Sequence, residues 1–309
     1  MGEPALARQD GDIAPEAARR PSLVKAAFKV LRVHQWAKNV LVFLPILGAH
    51  RLRDVRAIGE AALAFLAFSL VASSVYVVND LLDVESDRAH KRKRFRPIAS
   101  GALPVPVAKA MAPLLLGAGV ALSFALPVDF RWLLGGYFVT TLAYSLGLKR
   151  REILDVLILA SLYTSRIFAG GLATGIPVSE WLATFSMFFF FSLAMLKRCT
   201  ELLEATAELP GRGYRPVDRE AVLAMGTGSG SLSVLVLALY VSSQEVGRLY
   251  RHPHWLWGLC PLVLFFINRL WLKARRGEVH DDPLVAAMKD PATYVIGALA
   301  AALVVLGAR

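Results

Sequence analysis

Apolar residues form long blocks along this chain, and polar residues collect between the blocks. Nine blocks of roughly 18–23 residues can be placed, each long enough at about 1.5 Å rise per residue to cross a bilayer as one helix. Their approximate bounds are 28–49, 57–79, 106–127, 131–148, 153–173, 180–199, 221–243, 254–272 and 291–308. The pattern predicts an all-α, polytopic membrane protein with nine transmembrane helices.

The amino-acid composition also favours a membrane protein. Of 309 residues, 56% are hydrophobic, whereas soluble domains contain roughly 45–50% apolar residues. The net charge of +11 would suggest a nucleic-acid partner in a soluble protein, but here the basic residues lie in loops between apolar blocks, so none is predicted. Residues 1–22 are polar and are expected to form a disordered tail. The remaining residues, 23–309, are predicted to form one transmembrane domain.

The distribution of basic residues predicts the orientation. The N-terminal segment and the loops after helices two, four, six and eight carry 27 Lys and Arg residues with their flanks, and the opposite side carries seven. The positive-inside rule therefore places the N-terminus and these four loops in the cytoplasm. A multi-pass protein of the inner, cytoplasmic membrane is predicted.

The densest charge cluster follows the second block and reads NDLLDVESDRAHKRKRFRPIASG, residues 79–101. On a helix, Asp83 and Asp87 lie about 60° and 20° from Asp80, while Glu85 points about 140° away. Three carboxylates on one stripe repel each other unless a cation lies among them. Mg²⁺ coordinated by carboxylates and phosphate meets this need. The alternative is a hydrated loop whose acids pair with neighbouring lysines and arginines.

The basic second half of this segment is also consistent with a site for Mg²⁺ and phosphate. Arginine recognises phosphate through bidentate hydrogen bonds. Because Pro97 ends any helix nearby, Lys93, Arg94 and Arg96 are expected to fold back over the carboxylates. Residues 88–100 would then form a lid. The alternative is membrane anchoring, which requires positive charge but no particular residue.

The motif Asn79-Asp80-x-x-Asp83-x-x-x-Asp87, followed by Arg96-Pro97-Ile98 and Gly101, resembles the first signature of the UbiA superfamily of intramembrane prenyltransferases. The resemblance extends over about residues 25–309. It implies nine helices around a central cavity capped by cytoplasmic loops. It also implies that Asp80, Asp83 and Asp87 hold Mg²⁺ on a diphosphate.

The second signature departs from the pattern of the aromatic prenyltransferases. The segment YSLGLKRREILDVLILA supplies Tyr144, Lys149 and Asp155, but Leu159 stands where a second acid, four residues after the first, is usual in that family. Asp155 is still expected to join the metal site. The missing acid makes an aromatic acceptor the weaker hypothesis.

Five segments are similar to decaprenyl-phosphate phosphoribosyltransferases, a branch of this superfamily: residues 32–39, 93–101, 144–149, 165–171 and 196–202. That resemblance implies phosphoribosyl diphosphate (PRPP) as donor and a polyprenyl monophosphate as acceptor. The products would be 5-phosphoribosyl-monophosphopolyprenol and diphosphate. Two phosphorylated substrates explain the many basic residues. The residues expected to bind substrate are Lys38, Asn39, Asn79, Lys93, Arg94, Arg96, Tyr144, Lys149, Arg166, Lys197 and Arg198.

Three of these expectations have open alternatives. Arg166 follows Asp155 by 11 residues, so it lies about 16 Å deeper on the same helix face, where a substrate phosphate, a lipid phosphate or a structural acid are all candidate partners. Lys38 is expected to contact substrate or to extend toward the interface. Lys197 and Arg198 are expected either to bind substrate or to anchor the end of the sixth helix at the cytoplasmic side of the membrane. Gly170 and Gly171 are expected to mediate helix packing.

Other hypotheses for the whole chain are an aromatic prenyltransferase and, from another class, a transporter or scaffold. A transporter would be expected to show broken helices or repeat symmetry in mid-membrane, and the sequence displays neither clearly. A homo-oligomer remains open.

Overall fold

A computed structural model describes residues 22–90, 93–204, 211–279 and 283–308. Within these ranges all regular structure is helical, which confirms the all-α class. The α-helices are α1 (Leu23–Leu31), α2 (Leu44–Gly48), α3 (Val55–Leu82), α4 (Val84–Ala89), α5 (Val105–Ser123), α6 (Val128–Leu146), α7 (Leu154–Thr174), α8 (Glu180–Glu204), α9 (Arg219–Val241), α10 (Gln244–Leu249), α11 (Leu259–Arg275), α12 (Pro283–Lys289) and α13 (Pro291–Ala308). Most of the tail predicted to be disordered, residues 1–21, lies outside the described residues.

Seven helical segments of the described chain are long and apolar enough to cross a membrane. They are α3, α5, α7, α8, α13 and the segments Pro216–Val241 and Pro253–Arg275, which extend α9 and α11 by a short 3-10 turn. The chain is therefore an integral membrane protein, but the count of nine spans is not confirmed. Helix α6 is also long enough to cross a membrane, but it is not one of these seven segments. Its first turns contain Asp129 and Arg131, which make it less apolar.

The first predicted membrane helix, 28–49, is broken. It consists of α1, an 11-residue 3-10 helix (Val33–Phe43) and α2. The break lies at Arg32, which adopts a left-handed backbone conformation with φ 51°. The 3-10 helix carries His34, Lys38 and Asn39, and such polar groups need partners inside a bundle. Breaking the helix brings Lys38 and Asn39 toward the inside of the bundle, where Asn39 is buried, whereas His34 remains exposed.

Helices α3, α7 and α8 form the inside of the bundle. In their most apolar stretches 61%, 56% and 50% of the residues are buried, whereas in α13 the share is 6%. One core cluster joins α7 to α8, α9 and α11, and another joins α7 to α3 and α6. Helix α7 thus connects the two halves, and it carries Asp155 and Arg166 between them.

Gly170 lies where α7 passes closest to the 3-10 helix. A Cβ atom at this position would overlap the carbonyl group of Val42, which confirms the packing role predicted for this glycine. We expect Gly170→Ala to reduce the free energy of unfolding by about 1–3 kcal/mol through overpacking, measured by thermal unfolding in detergent.

Gly136 on α6 provides the matched control, since a Cβ atom there meets no atom within 4 Å. Gly136→Ala should be neutral, or stabilising by up to about 1 kcal/mol through helix propensity. Equal destabilisation by both substitutions would contradict the packing argument.

Candidate active site

Two buried carboxylates meet at the end of α3. Asp80 lies in the last turn of α3 and Asp87 in α4, and both are almost fully buried. Arg96 connects them, because its Nη1 lies 3.2 Å from Oδ1 of Asp80 and 2.7 Å from Oδ2 of Asp87. Arg32 adds a second guanidinium, with Nη2 2.7 Å from Oδ1 of Asp80. We call these four side chains the first acidic centre.

The predicted carboxylate stripe holds for Asp80 and Asp87, and Glu85 is exposed as expected. The helix does not run unbroken through Asp87, however. Helix α3 ends at Leu82, and Asp83 forms the junction to α4. Asp83 is half-buried, and its N–H donates to the carbonyl oxygen of Asn79 at 2.9 Å. Asn79 and Asp83 therefore flank the centre.

Among the described residues of the segment after α4, Arg96 is the one that returns to the carboxylates. Its position is fixed by the turn at Pro97 and by Ile98, which is fully buried. The expectation that Lys93 and Arg94 also fold over the carboxylates is wrong for this structure, because both are exposed and Arg94 stacks on the neighbouring Phe95 ring. Each long side chain keeps its charge in solvent there. Residues 91 and 92 of the predicted lid lie outside the described residues.

A second acidic centre surrounds Asp155 at the start of α7. Its Oδ1 accepts a hydrogen bond of 2.8 Å from the Tyr214 hydroxyl. Its Oδ2 lies 3.2 Å from Nε of Arg198 and 3.6 Å from Nη1 of Arg212. Asp155 and Arg198 are both 0% exposed. Arg198 also pairs with Glu201, so Asp155, Glu201 and the two arginines balance in charge.

Tyr214 and Arg212 dock the loop before α9 onto this centre. The Tyr214 hydroxyl also accepts the N–H of Ile153 at 2.8 Å, and Ile153 has a positive φ of 62°. Burial raises the pKa of Tyr214, so this phenol remains a proton donor to Asp155 at neutral pH. The loop is thereby fixed against the start of α7.

Arg212 brings the predicted residues Tyr144 and Lys149 to the same place. Its Nη1 donates to the Tyr144 hydroxyl at 2.7 Å and lies 3.5 Å from the carbonyl oxygen of Lys149. The guanidinium is about one-fifth exposed. Unlike Arg198, it is accessible to a phosphate group from solution.

Asn39 and Arg166 form one buried network rather than two separate sites. Nε of Arg166 donates to Oδ1 of Asn39 at 2.7 Å, and its Nη2 donates to the Tyr137 hydroxyl at 3.0 Å. Asn39 in turn donates to Oγ of Ser69 at 2.9 Å. The structural acid considered for Arg166 is not found among the described residues. Its polar partners are neutral, and it also lies over the rings of Tyr137 and Tyr163.

Sequence patterns did not single out Arg32, Arg212 or Tyr214. Arg32 lies in the segment RVHQWAKN, 48 residues before its partner Asp80. Tyr214 lies 59 residues after Asp155. For Arg212 and Tyr214 the available signal was the segment GRGYR (211–215), which places an aromatic residue and two arginines beside glycines in a basic loop.

The first acidic centre has a donor set that fits Mg²⁺. One guanidinium nitrogen contacts both carboxylates, so a cation at that point would have Asp80 and Asp87 as ligands. Mg²⁺ is commonly held by one or two carboxylates together with substrate phosphates. In the described part of the chain no group of three or more His, Cys, Asp or Glu side chains converges. The expectation that four aspartates converge on the metal is therefore wrong for this structure: Asp80 and Asp87 meet in the first acidic centre, Asp83 flanks it, and Asp155 lies in the second.

The chain is similar in sequence to several known proteins. The model of the UbiA prenyltransferase family matches residues 42–208, more than half of the chain. An uncharacterized protein of Sinorhizobium fredii, y4nM, is 39% identical over 92% of this chain. The decaprenyl-phosphate phosphoribosyltransferase of Mycolicibacterium smegmatis is 39% identical over 61% of the chain. The chain spans only 56% and 60% of the length of these two proteins.

The fold is similar to that of a UbiA homologue from Archaeoglobus fulgidus whose structure was solved with DMAPP and Mg²⁺. The TM-score is 0.67 at 16% sequence identity, over 91% of this chain and 96% of the homologue. At this identity the likeness concerns the fold alone. With a family match over more than half its length and the same fold, the chain belongs to the UbiA prenyltransferase family.

Proposed function

We propose that this protein transfers the 5-phosphoribosyl group of PRPP to a polyprenyl monophosphate. The observation that carries the proposal is the placement of two arginines at each acidic centre: Arg32 and Arg96 at the first, Arg198 and Arg212 at the second. Such a set suits substrates with several phosphate groups better than one diphosphate and an aromatic ring. The similarity to the mycobacterial phosphoribosyltransferase supports the same reading.

The reaction requires little proton transfer. An oxygen of the acceptor phosphate, already anionic, forms a bond to C1 of the ribose while the bond from C1 to the diphosphate oxygen breaks. Asp80 and Asp87 would hold Mg²⁺ with Asp83 beside them, and the bound ion would stabilise the negative charge on the departing diphosphate. Arg96, and Arg32 beside it, are positioned to bind diphosphate oxygens once their carboxylates coordinate the metal. Asp155 orients the accessible Arg212 for a further phosphate group, and the buried Arg198 holds Asp155 in place.

A transfer assay tests this function. Purified protein, Mg²⁺, PRPP labelled in the ribose and a polyprenyl phosphate should yield labelled lipid on extraction. Omission of Mg²⁺ or of the lipid phosphate should abolish the label. Transfer of a prenyl group from its diphosphate to 4-hydroxybenzoate, with no reaction of PRPP, would favour the aromatic prenyltransferase instead.

The same assay in oriented membrane vesicles tests the predicted orientation. PRPP is too highly charged to cross a bilayer. If the Lys- and Arg-rich loops face the cytoplasm, inside-out vesicles should form labelled lipid from external PRPP, and right-side-out vesicles should do so only after permeabilisation. The opposite pattern would invert the proposed topology.

A further inference from the structure

A cavity of about 450 Å³ lies at the end of the bundle opposite to the two acidic centres. It is formed by α2, the turn between α7 and α8, α9 and α10. Phe185, which lines it, precedes Arg198 on α8 by 13 residues, or about 20 Å along the helix. The volume falls within the range of roughly 300–1,000 Å³ that is usual for small-molecule sites. The cavity is therefore large enough for a ligand and separate from the proposed reaction.

The wall of this cavity is mainly apolar, with amphipathic aromatic side chains among the aliphatic ones. Trp181, Tyr240 and Tyr250 all line it. Such side chains collect at the boundary between membrane and water, where one end of the ring system is apolar and the other is hydrated. Leu249 also lines the cavity and is 54% exposed, so the cavity reaches the surface. A lipid at the level of the headgroups could enter it.

Glu245 on α10 is the one charged residue among those that line the cavity. Its side chain is exposed, and it forms no ion pair with any residue that the structure describes. An unpaired carboxylate beside an apolar cavity attracts a cation and repels an anion. The faces of tyrosine and tryptophan rings also attract cations. The charge of the cavity thus favours an amphiphile whose polar end is positively charged.

We propose that this cavity binds a phospholipid with an amine headgroup, with acyl chain in the cavity and the ammonium group beside Glu245. A primary amine is protonated at neutral pH, as that of lysine is. The Tyr240 and Tyr250 hydroxyls and the Trp181 indole N–H are donors for the phosphate and ester oxygens of the lipid. No hydrogen bond joins these three groups to the rest of the described chain. The bound lipid would contact four separate elements of the bundle at once.

The test compares two lipids with the same acyl chains, phosphatidylethanolamine and phosphatidylglycerol. The second lacks the ammonium group and carries a net negative charge. Native mass spectrometry of the delipidated protein in detergent resolves one bound lipid by its mass. We expect one phosphatidylethanolamine molecule to bind about tenfold more tightly than phosphatidylglycerol. Glu245→Gln should weaken the first lipid by about threefold to tenfold, the range for a partly solvated charge-assisted contact, and leave the second unchanged.

Two further variants separate the carboxylate from the cavity. Glu180→Gln is the matched control, because Glu180 is an exposed acid at the start of α8 that does not line the cavity. It should keep the tenfold preference. Gly48 does line the cavity, and a Cβ atom there meets no atom within 4 Å. Gly48→Leu should therefore fill part of the cavity and weaken both lipids alike.

Equal binding of the two lipids by the native protein would overturn the proposal, as would a preference that survives in Glu245→Gln. Undiminished binding in Gly48→Leu would place the lipid elsewhere on the surface. Displacement of phosphatidylethanolamine by a polyprenyl phosphate would assign the cavity to the chain of the acceptor, and the proposal would fail on that result too. No donor is present in these measurements, so their outcome does not depend on the transfer assay.

Discussion

Asp87→Asn should lower the turnover rate by about 10²–10³-fold, the range found when one stabilising group at a developing negative charge is removed. The substitution keeps the size of the side chain but removes one of the two carboxylates proposed to hold Mg²⁺. The fold should persist, because Arg96 is 28% exposed and can be hydrated when its partner loses charge. The measurement is the rate of labelled lipid formation at saturating PRPP and polyprenyl phosphate, with the unfolding temperature recorded alongside.

Glu85→Gln is the matched control for this prediction. Glu85 lies on the same short helix, two residues before Asp87, but its side chain is exposed. The substitution removes the same charge from the same loop, so it reports any general electrostatic effect. A loss of turnover as large as that of Asp87→Asn would show that loop charge, and not the pair of buried carboxylates, governs the reaction.

Asp155→Asn should reduce the free energy of unfolding by about 3–5 kcal/mol, the cost of breaking a buried ion pair, because only Glu201, which is 34% exposed, then remains to balance Arg198. Arg198 is 0% exposed, so water cannot replace the lost carboxylate. The asparagine retains an oxygen for the Tyr214 hydroxyl, which isolates the effect of charge. Thermal or denaturant unfolding in detergent measures the change, without substrate or metal.

Glu201→Gln is the comparison, because Glu201 pairs with the same arginine but is 34% exposed. It should cost about 1 kcal/mol or less, as for exposed ion pairs. If Asp155→Asn left stability unchanged and abolished only turnover, the buried pair would not be the structural element inferred from these contacts.

The two acidic centres differ in how much of them the sequence predicted. The relation of Asp80 to Asp87 follows from helical geometry over seven residues, and local geometry is almost independent of the remaining fold. The junction at Asp83 did not disturb it, since the backbone hydrogen bonds from Asp83 to Asn79 and from Asp87 to Asp83 continue the helical pattern. The surroundings of Asp155 come from α8 and from a loop before α9, and no local rule connects them.

For Arg166 the sequence predicted burial inside the bundle but not the partners of its side chain. Its direction toward the bundle followed from the cost of placing a guanidinium in lipid, and the structure shows it buried there, 6% exposed. Its partners Asn39 and Tyr137 lie 127 and 29 residues away in the chain. Many side chains would satisfy a buried guanidinium, so the choice among them depends on which helices pack together.

The sequence by itself determined the helical class, the membrane location and the carboxylate pair of the first acidic centre, because each depends on hydropathy or on spacing within a single helix. Only the tertiary structure decided that the first membrane segment breaks at Arg32, that Arg212 and Tyr214 complete the second centre, and that Glu245 lines a cavity formed with α2, α8 and α9. These features join residues from separate elements. Their positions follow from how the helices pack, and helix packing is set by the whole set of side chains at each interface.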